Sequence, residues 1–160
     1  MKDPLLRALQ ENARLDDQSL AQRLGLAKEE VASKRQELES NGTIMGYQAV
    51  IDPDKTGETS VTAVIEVQVR PERGGGFDRM AERIARFDQV QSCYLMSGGY
   101  DLLVVVTGQD LREVSHFVAE RLSTLEGVLS TATRFRLKTY KENHCLAIKE
   151  AEGERLAITP

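Results

Sequence analysis

Two stretches of the 160-residue sequence carry side chains whose types and spacing suit chemistry. The first is Ser97-Gly98-Gly99-Tyr100-Asp101. Paired glycines let the backbone approach a ligand closely and tolerate positive φ. Exposed N–H groups in such a loop can form a nest for a carboxylate, and Asp101 offers an acceptor for an ammonium group. Donors for a carboxylate beside one acid have the polarity of an α-amino acid receptor. Thr131 and Thr133 add two hydroxyls further along the chain. The candidate effector-binding residues are therefore Gly98, Gly99, Tyr100, Asp101, Thr131 and Thr133. The plainer reading of the loop is a β-hairpin turn, with Asp101 a solvated or turn-bonding acid.

The second stretch runs from Lys28 to Ser40. Val31 and Leu38 lie two helical turns apart on an inner face, which turns Lys28, Glu29, Ala32, Ser33, Lys34 and Gln36 outward. On a helix laid in a DNA major groove, Ser33 and Gln36 can read base edges. Lys28 and Lys34, with Arg23 on the preceding helix, can hold phosphates. The candidate DNA-binding residues are Arg23, Lys28, Ala32, Ser33, Lys34 and Gln36. Charge argues the other way. Residues 1–42 hold seven basic and eight acidic side chains, whereas a DNA module is ordinarily positive. A ligand-sensing or partner-binding oligomer with a degenerate, non-DNA-binding helix-turn-helix is the alternative.

Other candidate groups assemble into nothing. Cys93 and Cys145 have no CxxC spacing, and His144 beside Cys145 supplies two ligands where a metal site needs three or four. His116 lies in a helical stretch with no acid at a suggestive spacing. Gly74-Gly75-Gly76 is not followed by Gly-Lys-Ser/Thr, so it is read as a flexible connection, not a phosphate loop. No metal, no cofactor and no enzymatic activity are expected.

The elements that position these residues follow from periodicity. Leu5, Leu6, Leu9 and Ala13 predict a helix over Pro4–Asn12, with proline suited to its first turn. Asp16 or Asp17 caps a second helix, Gln18–Leu24, which Gly25 stops. The third runs over Lys28–Ser40 and ends at Asn41-Gly42. Helix, short glycine turn, helix is the form of a helix-turn-helix. Thr43–Ile51 reads as a linker strand, closed by the turn residues Asp52–Gly57.

Period-two alternation then begins near Thr59, with Val61, Ala63, Ile65, Val67 and Val69 on one face. A helix through Phe77, Met80, Ala81, Ile84 and Phe87 follows, then strands over Val90–Met96 and Tyr100–Thr107. A second helix takes Leu111, Val114, Phe117, Val118, Arg121 and Leu122 as its apolar side, and Val128–Thr139 is the last strand. The order is βαββαβ, the ferredoxin-like arrangement, with helices on one face of an antiparallel sheet. The other face also bears apolar residues, so a homodimer through it is expected.

The expected fold class is α+β. The organisation is a helix-turn-helix over 1–46, a linker strand over 47–58, a ferredoxin-like sensing and oligomerisation domain over 59–140, and a tail over 141–160. Leu146, Ala147 and Ile148 in that tail suit a short extra element. Net charge is −4 and 41% of residues are hydrophobic, with no apolar run long enough to span a membrane. No membrane partner is expected. The N-terminus lacks an apolar signal core, which makes the cytoplasm the expected location.

Several segments together resemble the leucine-responsive/asparagine-synthesis (Lrp/AsnC, "feast/famine") family of transcription regulators. They are Leu5–Arg14, Leu20–Leu26, Leu38–Tyr47, Ile51-Asp52-Pro53, Cys93–Asp101 and Leu125–Val128, in order and at family-like spacing. The resemblance covers about residues 4–140. It implies operator DNA as a partner, a homodimer assembling into a higher homo-oligomer, and an amino acid or related metabolite bound between subunits near the Gly98–Asp101 loop.

Overall fold

The computed structural model describes residues 3–57, 59–71, 74 and 76–147. The chain divides into two compact units, Met1–Ala49 and Val50–Pro160.

The first unit is three helices, α1 (Pro4–Glu11), α2 (Asp17–Leu24) and α3 (Lys28–Ser40). Asp3 caps α1 by accepting from the Leu5 and Leu6 N–H groups, and Pro4 enters the first turn. Asp16 caps α2 by accepting from Ser19 N at 2.8 Å. Gly25 closes that helix at φ 68°, a left-handed position that favours glycine. Ala27 precedes α3 without a side-chain cap. Leu5, Ala8, Leu9, Leu20, Ala21 and Val31 form the core, with Leu15, Leu24, Leu26, Leu38 and Ile44 packed around it. Val31 is the only fully buried side chain of α3, so that helix rests on a narrow apolar seam.

The expected linker strand does not form. Residues 45–52 form neither helix nor strand, and a 3-10 turn, Pro53–Lys55, follows. A strand needs a second strand to take its hydrogen bonds, and none of the described residues lies beside this segment in a sheet.

The second unit holds β1 (Val61–Val69), α4 (Asp78–Ala85), β2 (Val90–Leu95), β3 (Leu102–Gly108), α5 (Leu111–Phe117) and β4 (Val128–Phe135). The sheet is antiparallel in the order β2-β3-β1-β4. The inner strands β1 and β3 bury Ala63, Ile65, Val67, Val69, Leu102, Val104 and Val106 against the helices. Each valine, leucine and isoleucine among them contributes roughly 1.5–3 kcal/mol on burial. From the helices come Met80, Ile84, Val114, Phe117, Leu122 and Leu125. The opposite face carries half-exposed Val64, Leu103 and Val105 among polar side chains, with Tyr94 exposed.

Two features depart from the periodicity reading. α5 continues as a π-helical turn, Val118–Leu122, so Arg121 leaves the inner side to which 3.6-residue spacing assigned it. Residues 141–146, expected as tail, form a hairpin of β5 (Lys141–Glu142) and β6 (Cys145–Leu146). Its turn places Asn143 and His144 at φ 42° and 70°, the left-handed pair that a two-residue type I′ turn requires. Ile148 with the rest of the tail, and Gly75 of the glycine run, lie outside the described residues.

Candidate functional site

In the second unit, a cleft of about 230 Å³ lies where the 97–101 loop meets β1 and β4. Its lining includes Glu66, Gln68, Gly99, Tyr100 and Ser130. Strand register explains the grouping. Glu66 stands opposite Ala132 and Gln68 opposite Ser130, so these side chains share the face away from the helices. Gln68 ties the parts together: its Nε2 donates to the Gly99 carbonyl at 2.9 Å, and its Oε1 accepts from Ser130 Oγ at 2.7 Å.

Arg134 grips Glu66 bidentately, Nε to Oε1 at 2.9 Å and Nη2 to Oε2 at 3.1 Å. The guanidinium holds the Glu66 carboxyl below the usual carboxylate range, and Glu66 in turn raises the arginine. Tyr100 adds a smaller electrostatic influence on Arg134. Glu66 is the more sheltered partner, its side chain 25% exposed against 68% for Arg134. The cleft thus offers one acid, gripped by Arg134 from beside it, an amide and a hydroxyl. A zwitterion can exchange into such a pair, its ammonium on Glu66 and its carboxylate on Arg134.

In the first unit, α3 exposes Lys28, Ser33 and Gln36 together with Glu29, Glu30, Glu37 and Glu39. Lys34, Arg23 and Arg35 are engaged within the unit. Lys34 Nζ lies 2.9 Å from Asp3 Oδ2, and Arg23 hydrogen-bonds Glu11. Lys34 holds Asp3 below the usual carboxylate range, and Arg23 does the same for Glu11. Arg35 donates to the Leu15 carbonyl at 2.9 Å and approaches Asp17 Oδ1 at 2.8 Å. That last contact is close but poorly aligned, since Asp17 Oδ1 and Arg35 Nε lack a hydrogen bond. Arg35 therefore staples the start of α2 to α3 from an otherwise apolar position.

Residues 62–146 match the family described as the Lrp/AsnC ligand binding domain. The chain belongs to the Lrp/AsnC family. It is 43% identical over 157 residues to an uncharacterized HTH-type transcriptional regulator, YugG, of Bacillus subtilis (strain 168), covering 98% of this chain and 95% of that one. It is 31% identical to the proline dehydrogenase transcriptional activator of Rhodobacter capsulatus, covering 88% of this chain and 90% of the other. Among solved structures, a Neisseria meningitidis transcriptional regulator in complex with L-Met aligns with TM-score 0.69 at 27% identity, covering 89% and 94% of the two chains.

Within this Lrp/AsnC domain, the expected effector residues separate. Gly99, Tyr100 and Thr131 border the cleft. Gly98 does not line it and sits at φ 138°, serving the turn. Asp101 braces the sheet instead. Its Oδ2 accepts from Val69 N at 2.8 Å, and its own N–H donates to the Val67 carbonyl. Thr131 and Thr133 stand opposite Val67 and Ile65, on the helix-covered face, and the Thr131 hydroxyl meets Ser123 at 3.2 Å. Their hydroxyls are therefore not the cleft's polar groups. Ser130, one residue away from Thr131, supplies one, with Glu66 and Gln68. The signal in the sequence was the polar alternation of β1, which marked Glu66 and Gln68 as outward.

Of the expected DNA-facing residues, Lys28, Ser33 and Gln36 are exposed, Ala32 is half-buried, and Arg23 and Lys34 are engaged by acids. Among the described residues, no helix is long and apolar enough to cross a membrane.

Proposed function

We propose that this chain is a sequence-specific DNA-binding transcription regulator whose activity responds to an amino acid or closely related metabolite. What carries the reading is the pairing, on one Lrp/AsnC chain, of an exposed α3 face bearing Lys28, Ser33 and Gln36 with a cleft lined by Glu66, whose carboxylate Arg134 grips. The α3 face suits the major groove, where Ser33 and Gln36 meet base edges and Lys28 a phosphate. The cleft suits a zwitterion. The relatives support both halves, since the Bacillus and Rhodobacter proteins are named as transcriptional regulators and the Neisseria protein is a complex with L-Met. A homodimer forms through the half-apolar outer sheet face, and dimers assemble further.

The test is electrophoretic mobility shift with the region upstream of the chain's own gene, with and without each of the twenty amino acids. Sequence-dependent shifts that one or a few amino acids alter are the expected result. Sequence-blind shifts insensitive to every amino acid overturn the reading.

One observation favours the second reading, a ligand-sensing oligomer with a degenerate helix-turn-helix. On the exposed side of α3, four glutamates face the single lysine Lys28. That reading is met if an amino acid raises the melting temperature while no duplex is shifted even at low salt.

A further inference from the structure

The helix side of the second unit holds a second cleft, of about 450 Å³, between the end of α4 and the π-helical turn after α5. Arg83 and Arg86 of α4 line it, as do Phe87, Glu120, Arg121 and Thr124. We propose that this cleft is a binding site for a small phosphorylated metabolite, separate from the Glu66–Arg134 cleft.

The π turn is the device that makes the site. The buried residues of this helix are Val114, Phe117, Leu122 and Leu125. Phe117 to Leu122 is a step of five, the repeat of a π turn, with half-buried Val118 between them on the core side. The widened turn puts Leu122 into the core at 0% exposure and delivers Arg121 to the rim facing α4. Single π turns inside α-helices recur at functional sites, and here the insertion changes which side of the helix a guanidinium occupies.

The charges are then unbalanced. Among the described residues, neither Arg83 nor Arg121 has a carboxylate within ion-pair distance, and Arg86 only reaches Glu82 at 4.0 Å. Three arginines and one acid, Glu120, line the cleft. Thr124 donates to the Glu120 and Arg121 carbonyls, which ties down two acceptors of the turn. Arginine forks match phosphate oxygens bidentately. A monocarboxylate would leave two of the three arginines unmatched, whereas a di- or triphosphate supplies an oxygen pair for each. Phe87, braced edge-on by Phe117 at 5.4 Å, gives the cleft an aromatic wall for an organic moiety. A volume of about 450 Å³ suits a small ligand.

Isothermal titration of the full chain with inorganic pyrophosphate and with adenosine triphosphate, at constant ionic strength, is the test. Saturable binding at one site per subunit is expected. Arg83→Ala and Arg121→Ala each weaken it roughly ten-fold or more. Arg121→Lys keeps the charge but loses the fork, and falls between. Glu120→Gln, which removes the lone acid, strengthens binding. Unchanged melting temperatures in all four variants separate these effects from misfolding. Weak binding that is the same in wild type and Arg121→Ala overturns the proposal, as does binding lost in Glu66→Gln instead. Loss of duplex affinity in Arg121→Ala with no pyrophosphate or nucleotide binding in the wild type assigns the arginines to DNA and also overturns it.

Discussion

Asp3→Asn is expected to strengthen DNA binding. Asparagine caps a helix about as well as aspartate, so the contacts to Leu5 and Leu6 N–H survive and α1 keeps its start. What disappears is the charge that holds Lys34 at 2.9 Å. The pair is part-exposed, with side-chain exposures of 38% for Lys34 and 26% for Asp3. Pairs of that kind are worth about 0.2–1 kcal/mol. Lys34 must surrender that amount before it can meet a phosphate. At 1.4 kcal/mol per factor of ten, its release tightens binding about 1.5- to 5-fold for each subunit engaged. One more neutralised phosphate per subunit also steepens the plot of log affinity against log salt by about 0.9. The assay is fluorescence anisotropy of a labelled duplex over a salt series, with wild type, Asp3→Asn, Lys34→Ala and the double variant. The gain must vanish in the double variant, because Lys34 carries it. An unchanged salt slope in Asp3→Asn refutes the reasoning, whatever happens to the affinity.

Glu66→Gln removes the fixed acid of the sheet cleft, so amino acid affinity falls by roughly ten-fold or more; calorimetry checks this, with assembly state unchanged by light scattering. Asp101→Ala strips the acceptor from Val69 N–H, which costs about 1–3 kcal/mol of stability, and lowers the urea midpoint. In Asp101→Ala, the amino acid affinity of the folded fraction stays at the wild-type value. Acid weakens the fold through Asp3, Glu11 and Glu66, whose folded carboxyls all titrate below their ordinary range. The folded state therefore binds these protons less readily than the unfolded one. Their stabilisation is complete above the ordinary carboxylate range near pH 4 and is lost as pH falls through the depressed folded values. Urea titrations stepped from pH 7 to pH 3 should show the midpoint falling only at the acid end.

The helical unit was legible because its punctuation is local. Pro4, Asp16 and Gly25 act on neighbours within a few residues, and each does in the structure what its type implies. The sheet was legible as elements for a similar reason, since alternation in β1 is a property of one strand. The cleft was not, because it is made by register. Whether Thr131 or Ser130 faces the 97–101 loop depends on which residue of β4 stands opposite Gln68, and a shift of one residue reverses every answer. Arg121 was misplaced for a related cause. Its 3.6-residue position is apolar, and the π turn that moves it, Val118–Leu122, leaves no mark in the spacing. Arg35 shows the opposite case: an arginine at an inner position stays there because the Leu15 carbonyl and Asp17 meet it.

The charge on α3 also bears on how many copies must act together. With Lys28 as the exposed base of α3 and four exposed glutamates beside it, the groove helix of one unit makes few phosphate contacts, and an affinity near 10⁻⁴ M, the weak end of nonspecific binding, is about what it can reach alone. Two such units joined at an effective concentration of about 10⁻³ M give roughly 10⁻⁵ M, and four give roughly 10⁻⁷ M. A dimer is then still too weak to hold an operator, while a tetramer or larger ring is adequate. Assembly becomes the quantity that a ligand must alter to control DNA occupancy, and a cleft on the sheet face is placed to do so when that face is shared between copies. Affinity for a duplex with four half-sites should therefore fall steeply on dilution below the assembly constant, and a cross-linked dimer should bind it no better than a duplex with two. Equal affinity for two-site and four-site duplexes at every protein concentration would mean that α3 binds DNA more strongly than its charges allow.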